Sequence, residues 1–313
     1  MSNRALSTTN IKEARRKTWR KLYRDRQLYM MLLPAVLITF FLSYLPLPGI
    51  LIGFQDFSIY KGILGSEWIG LDNFRQIFAR SQLAMAVWNT LKISLLKLVI
   101  TFPAPIILAL MINEVRNQAY KRVTQTISYL PHFLSWISVV GLVQLLFGRD
   151  GLINDLRMFL GADERVTFLA EQGLFIWFVL GISLWKEVGW GTIVHLANLS
   201  SINPELYEAA EVDGAKHLQK LWYITLPHML PTVTILLIFQ MGTLFASNFE
   251  LIYGLQNPYV DFEVISTIVY KTGLQNGDYS LSTAIGFAQS TISLLLVIGS
   301  NWISKKISGT GIF

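Results

Sequence analysis

Long apolar runs alternate with short polar stretches along this chain, and the runs set its architecture. Six of them reach or exceed the ~20 residues that an α-helix needs to cross a bilayer. They extend over about 28–54, 88–112, 123–147, 173–199, 229–249 and 280–304. The first, third and sixth carry no charge, the second holds Lys92 and Lys97, and the fourth holds Lys186 and Glu187. Lipid leaves only helices and closed barrels as ways to satisfy backbone polar groups, and none of the runs shows the two-residue alternation of a barrel strand. The pattern predicts an all-α polytopic membrane protein: a basic tail over 1–27, six transmembrane helices within 28–304, and a short tail over 305–313.

Composition agrees. Hydrophobic residues make up 52% of the 313 positions and charged residues 15%, against about 25% charged in soluble domains. The absence of cysteine excludes disulfides and thiolate metal sites. The net charge of +6 matters less than its distribution. Sixteen Lys and Arg fall in the N-terminal tail, the 116–122 and 216–220 loops and the C-terminus; seven fall in the alternate loops and three within spans. The positive-inside rule then predicts cytoplasmic termini. The first apolar run is longer than a secretory signal core and has no small-residue cleavage site, so it reads as an uncleaved span. The basic tail beside it reads as a lipid-headgroup contact, not a nucleic-acid arm.

One polar island, about 201–230, separates the fourth and fifth spans, and the same charge count places it in the cytoplasm. Asn203 and Pro204 predict a helix start, with Asn as N-cap and Pro at the first helical position. Glu205 and Glu208 sit at the positive end of that helix dipole. Gly214 suits the left-handed position that ends it. Asp213 is placed to help cap a second helix from Ala215 to about Tyr223. From physics alone, this helix-turn-helix is either a plain connector or a docking element whose small Ala209 and Ala210 let another protein approach.

Here the chain resembles a known family. Glu208, Ala209, Ala210, Asp213, Gly214 and Ala215, followed by Ile224, Leu226 and Pro227, match the EAA loop of ABC-importer permeases. One departure is Leu221, where an aromatic is common; Trp222 stands beside it. Tyr44-Leu-Pro46, Phe54-Gln-Asp-Phe57, Asn89-Thr90, Phe102-Pro-Ala-Pro105, Tyr129-Leu-Pro-His-Phe133, Trp190-Gly191 and Asn301-Trp302 are similar to the maltose-type carbohydrate-uptake permeases, and to their oligosaccharide and polysaccharide-fragment subgroup in particular. The resemblance implies a type I ABC importer permease in a bacterial plasma membrane. It implies pairing with a second permease, EAA loops seated in two cytoplasmic ATPase subunits, and an extracytoplasmic solute-binding protein that delivers the oligosaccharide. No Gly-x-x-x-x-Gly-Lys-Ser/Thr phosphate loop occurs, so ATP and Mg are expected on the ATPase and no cofactor on this chain. The chain is expected to be no enzyme. No His-Glu-x-x-His pattern occurs either, and His132, His195, His217 and His228 show no metal-ligand spacing. The alternative reading is an ion-coupled secondary transporter, against which stand the acid-free first, third and sixth spans and the lack of an inverted repeat.

Ionisable residues inside spans are costly and mark function by default. Lys186 and Glu187 are neighbours about 100° apart on a helix and cannot share one groove. One is expected to pair across a helix interface and the other to reach a wet cavity. Trp185 and Trp190 either stack on sugar rings or pack. Lys92 and Lys97 either snorkel to the interface or, with Lys186, form a cationic lining for acidic saccharides of the alginate or uronate type. Asn248 and Glu250 end the fifth run and resemble the family's outer gate region. The expected translocation path is therefore Lys92, Lys97, Trp185, Lys186, Glu187, Trp190, Asn248 and Glu250.

Overall fold

A computed structural model describes residues 23–309, 311 and 312. The basic residues from Arg4 to Lys21, read above as a lipid-facing tail, lie outside the described residues. Among those described, six helices are long and apolar enough to cross a membrane: Arg26–Phe54, Ser81–Glu114, Trp136–Phe159, Gln172–Ser200, His217–Gly242 and Tyr279–Lys306. Two starts move outward from the sequence reading. The second span begins at Ser81, not 88, and the fifth begins at His217, not 229.

The third span differs in kind. The continuous helix expected over 123–147 is broken. Gln118–Tyr129 forms an amphipathic helix, Leu130–Phe133 a single 3-10 turn, and Trp136–Phe147 a second helix. Pro131 lacks an N–H and ends the first helix, and the Ser135 Oγ accepts from the Ser138 N–H at 3.1 Å to start the second. Ser128 packs against Gly189, near the middle of the fourth span, so closely that a Cβ at 189 would lie 2.0 Å from the Ser128 carbonyl oxygen. The break therefore lies at mid-depth, and Gln118–Phe147 is one crossing made of two helices.

Prolines also explain three wide turns. The helices pass through π segments at Phe40–Tyr44, Lys97–Thr101 and Leu221–Thr225, each ending two residues before Pro46, Pro103 or Pro227. In each, the residue just before the proline bonds five residues back, as Leu45 does to the Phe40 carbonyl at 2.9 Å and Phe102 to that of Lys97 at 3.0 Å. A proline ring clashes with the carbonyl four residues earlier, and the wider turn moves that carbonyl aside. Pro34 and Pro231 lie inside ordinary helical turns.

Three apolar clusters hold the bundle. One joins Val139, Val143, Phe175, Val179, Leu251 and Val264 at the end away from the 201–216 loop. A second joins Ile77, Ala86, Phe245, Ile268 and Leu281. A third joins Ala109, Ile112, Leu196, Leu199 and Met229 at the end where the 201–216 loop lies. Asn89 and Thr90 tie the second span to the irregular 243–278 segment: Asn89 donates to the Glu263 carbonyl at 2.9 Å, and the Ile265 N–H donates to Thr90 Oγ1 at 2.9 Å. That segment is further held by the Lys271–Glu263 ion pair. Burial raises the Glu263 pKa, but hydrogen bonds from Lys271 and Thr267 outweigh it and hold the carboxyl below its usual range. A two-residue antiparallel ladder pairs Gln55 with Trp68 and Asp56 with Glu67.

Candidate functional site

The 201–216 loop is built by local rules. Asn203 Oδ1 accepts the Glu205 N–H at 3.1 Å, and Pro204 opens the helix Pro204–Val212. Gly214 takes φ 76°. That lets the Ala215 N–H reach the Ala210 carbonyl at 2.8 Å and the Gly214 N–H reach that of Glu211 at 3.0 Å. Both bonds of a Schellman C-cap are thus made. Asp213 does not start the next helix. Lys216 holds the N-cap position, with its N–H donating to Gln219 Oε1 at 2.7 Å. That helix runs without interruption into the fifth span.

Three contacts fix the hairpin to the bundle. Tyr207 OH and Thr225 Oγ1 lie 2.9 Å apart, Lys220 Nζ donates to Glu211 Oε1 at 2.6 Å, and His217 Nδ1 lies 3.8 Å from Glu114 Oε2. The hydrogen bond and charge of Lys220 hold the Glu211 carboxyl below its ordinary range. Glu208, Ala209, Asp213 and Gly214 are exposed. Leu206 and Val212 beside them are 50% and 88% exposed. The hairpin thus presents a small-residue patch between two bare apolar side chains, a surface left uncovered by the described residues. Leu226 is half-buried; together with the exposed Pro227 it follows the wide turn and shapes the helix, and neither belongs to that patch.

Inside the bundle lies a cavity of about 710 Å³. The second span lines it with Ser94, Lys97 and Thr101, the third with Trp136, and the fourth with Ser183, Glu187, Trp190, Val194 and His195. Gln240 and the irregular 243–248 stretch close it. That stretch follows the end of the fifth span at Gly242, and irregular backbone at membrane depth is tolerated where it lines a cavity. Asn248 caps the next short helix, its Oδ1 accepting the Leu251 N–H at 3.1 Å. Thr101 Oγ1, Ser183 Oγ and His195 Nδ1 are buried without a partner among the described residues. Unsatisfied buried polar atoms cost about 1–3 kcal/mol each, so this wall is built for water or a polar guest.

Residues 101–309 match the family described as binding-protein-dependent transport system inner membrane component. The chain belongs to that family. Among relatives of this permease, the polygalacturonan/rhamnogalacturonan transport system permease protein YteP of Bacillus subtilis (strain 168) is 40% identical over 305 residues, 96% of this chain and 95% of its own. Protein LplB of the same organism is 41% identical over 295 residues, 93% of this chain and 92% of its own. A crystal structure of a bacterial ABC transporter involved in the import of the acidic polysaccharide alginate has a chain that superposes with TM-score 0.84. That chain is 39% identical and covers 93% of this permease and 99% of itself. A second structure of the alginate transporter, in complex with alginate pentasaccharide-bound periplasmic protein, superposes equally well. The permease is thus a multi-pass membrane protein of the ABC type, and nothing in the comparisons points to an ion-coupled carrier.

Of the eight residues that sequence reasoning assigned to a path, the permease brings Lys97, Glu187, Trp190 and Asn248 to the cavity wall. Lys92, Trp185 and Glu250 are exposed outside the wall, and Lys186 is buried behind it. Lys186 Nζ donates to the His132 carbonyl at 2.8 Å and lies 4.7 Å from the centre of the Trp136 ring. Its neighbour Glu187 lines the cavity yet keeps its carboxylate 4.0 Å from the Lys186 ammonium, so a structural cation backs a lining anion. The three-lysine lining reduces to Lys97, opposed by Glu187. Sequence reasoning missed Ser183, Val194 and His195. Their signal was the spacing 183, 187, 190, 194, which places them on one face of the fourth span.

Proposed function

We propose that this chain is one of two permease subunits of a binding-protein-dependent importer of oligosaccharides, acidic ones included. The carrying observation is the cavity within the spans, with aromatic faces and unpartnered polar atoms on one wall. Tryptophan faces suit the apolar sides of pyranose rings, and unpartnered hydroxyl and imidazole groups suit sugar hydroxyls. The relatives' names, polygalacturonan/rhamnogalacturonan and alginate, support a uronate-bearing cargo. Lys97 would meet its carboxylates.

In this reading the basic end of the bundle is cytoplasmic. The patch at Glu208, Ala209, Ala210, Asp213, Gly214 and Ala215 seats in an ATPase subunit, which holds ATP and Mg. The extracytoplasmic binding protein docks at the other end. The bundle holds two conformations whose balance the docked ATPase shifts. Because the hairpin continues into the fifth span, a displacement at the ATPase reaches Gln240 and the 243–248 wall along one helix.

The test is purification and transport. A second permease and two ATPase subunits are expected to co-purify. In the reconstituted importer, Lys97→Met should cut uptake of an oligouronate about tenfold, the loss of one charge-assisted contact, and uptake of a neutral oligosaccharide far less. Equal losses on both would remove the acidic part of the proposal, and transport by this chain alone would remove the rest.

A further inference from the structure

We propose that Lys186 is a positioning residue of the cavity: it holds the break in the third span and thereby fixes His132, Trp190 and Glu187 as one rigid saccharide-facing wall. This rests on the cavity being the sugar path.

A lysine at mid-membrane is expensive unless its charge is met. Lys186 is only 4% exposed, lies on the fourth span, and is aimed away from the cavity. What meets it is the break, together with the Glu187 carboxylate 4.0 Å from its ammonium. At the end of Gln118–Phe133 the Pro131 carbonyl accepts the Leu134 N–H at 3.2 Å, while other last-turn carbonyls of a helix need partners from outside it and carry the negative end of its dipole. Lys186 donates to one of them, the His132 carbonyl, and its ammonium rests against the ring of Trp136, the first residue of the next helix. One cation therefore pins both sides of the discontinuity.

The pinned residue carries the wall. The His132 ring stacks on Trp190 with centroids 4.4 Å apart and planes within 3°. Its Nδ1 lies 3.5 Å from Glu187 Oε2. His132 itself is not part of the lining, whereas Trp190 and Glu187 are. One Trp190 face is thus backed by imidazole and the ring still meets the cavity, with a carboxylate beside it. An aromatic face next to a hydrogen-bond acceptor is the chemistry that holds a pyranose ring and its hydroxyls. Without Lys186, the break has neither its carbonyl partner nor its clamp, and the stack loses its fixed position.

The experiment uses the whole importer, reconstituted with its partner permease, ATPase and loaded binding protein. Lys186→Met should raise the half-saturating oligosaccharide concentration about tenfold, the worth of a charged hydrogen bond. Lys186→Arg should stay within about threefold of wild type, because guanidinium keeps a donor and stacks on aromatic faces. Trp190→Ala should weaken half-saturation comparably, and the Lys186→Met/Trp190→Ala double variant should be no worse than either single, since one acts through the other. Multiplying losses, or normal half-saturation in Lys186→Met, overturns the positioning role. If Lys186→Met does not assemble, Lys186→Gln, which keeps a donor for the carbonyl but removes the cation from the Trp136 ring, should raise half-saturation about threefold, and wild-type half-saturation in it overturns the positioning role. Wild-type transport by both Trp190→Ala and Glu187→Gln would instead overturn the path reading itself.

Discussion

The first and fourth spans are equally long, 29 residues each, and opposite in character. The first has a mean hydropathy of 2.1 and buries none of its most apolar window; the fourth has 1.2 and buries 44% of it. Among the six described spans the first is the least packed, and the fourth, the least apolar, is the most packed. Leu28 to Leu45 are all exposed, whereas the Leu47–Phe54 end packs on the last span, where a Cβ on Gly53 would lie 3.1 Å from the Ala284 nitrogen. Lipid selects for apolarity, whereas packing selects for fit. The fourth span gives up hydropathy for Ser183, Lys186, Glu187, Gly189, Thr192 and His195, and each either packs, caps or lines the cavity.

Crowding the fourth span should have the largest effect. A side chain at Gly189 meets the Ser128 carbonyl at 2.0 Å, a backbone atom that cannot step aside. Gly189→Val should cost about 3 kcal/mol or abolish assembly, read as loss of the monodisperse peak in detergent. A stable, transporting Gly189→Val protein would break the contrast. Next comes the hairpin that the fourth span feeds. Nothing lies within 4 Å of a Cβ at Gly214, so the cost there is purely conformational. Gly214→Val should strain the turn by about 1–2 kcal/mol and lower transport per ATP hydrolysed. Gly214→Asn, which tolerates the left-handed region, should retain coupling. The smallest effect belongs to the first span. Leu33→Ala should change the thermal stability of the isolated chain by no more than about 0.5 kcal/mol, because Leu33 is 54% exposed. A larger loss appearing only in the whole importer would show that another subunit covers this face.

Much of this was legible in the sequence. Six crossings followed from run length, and the hairpin's Asn203 cap and Gly214 turn followed from residue chemistry. The break at 130–135 was not, because hydropathy averages across a proline that lies between apolar residues. The true start of the fifth span was hidden because His217 to Lys220 are polar yet helical, joined to the apolar run through a wide turn. Lys186 was legible as a costly charge but not as a cap, since its partner carbonyl lies 54 positions away and carries no sequence signature. The fourth-span part of the cavity wall could have been found by following one helical face from Glu187 instead of treating the charges singly.

The wide turns before Pro103 and Pro227 bear on how force travels. A π turn stores one residue more than an α turn, and passing that residue along a helix rotates the remainder by about 100° and shifts it by about 1.5 Å. The turn at Leu221–Thr225 stands between the hairpin and Gln240, and the turn at Lys97–Thr101 supplies part of the cavity wall itself. A push at one end of either helix would therefore arrive at the other as a twist, changing the side chains presented to the cavity without unfolding the helix.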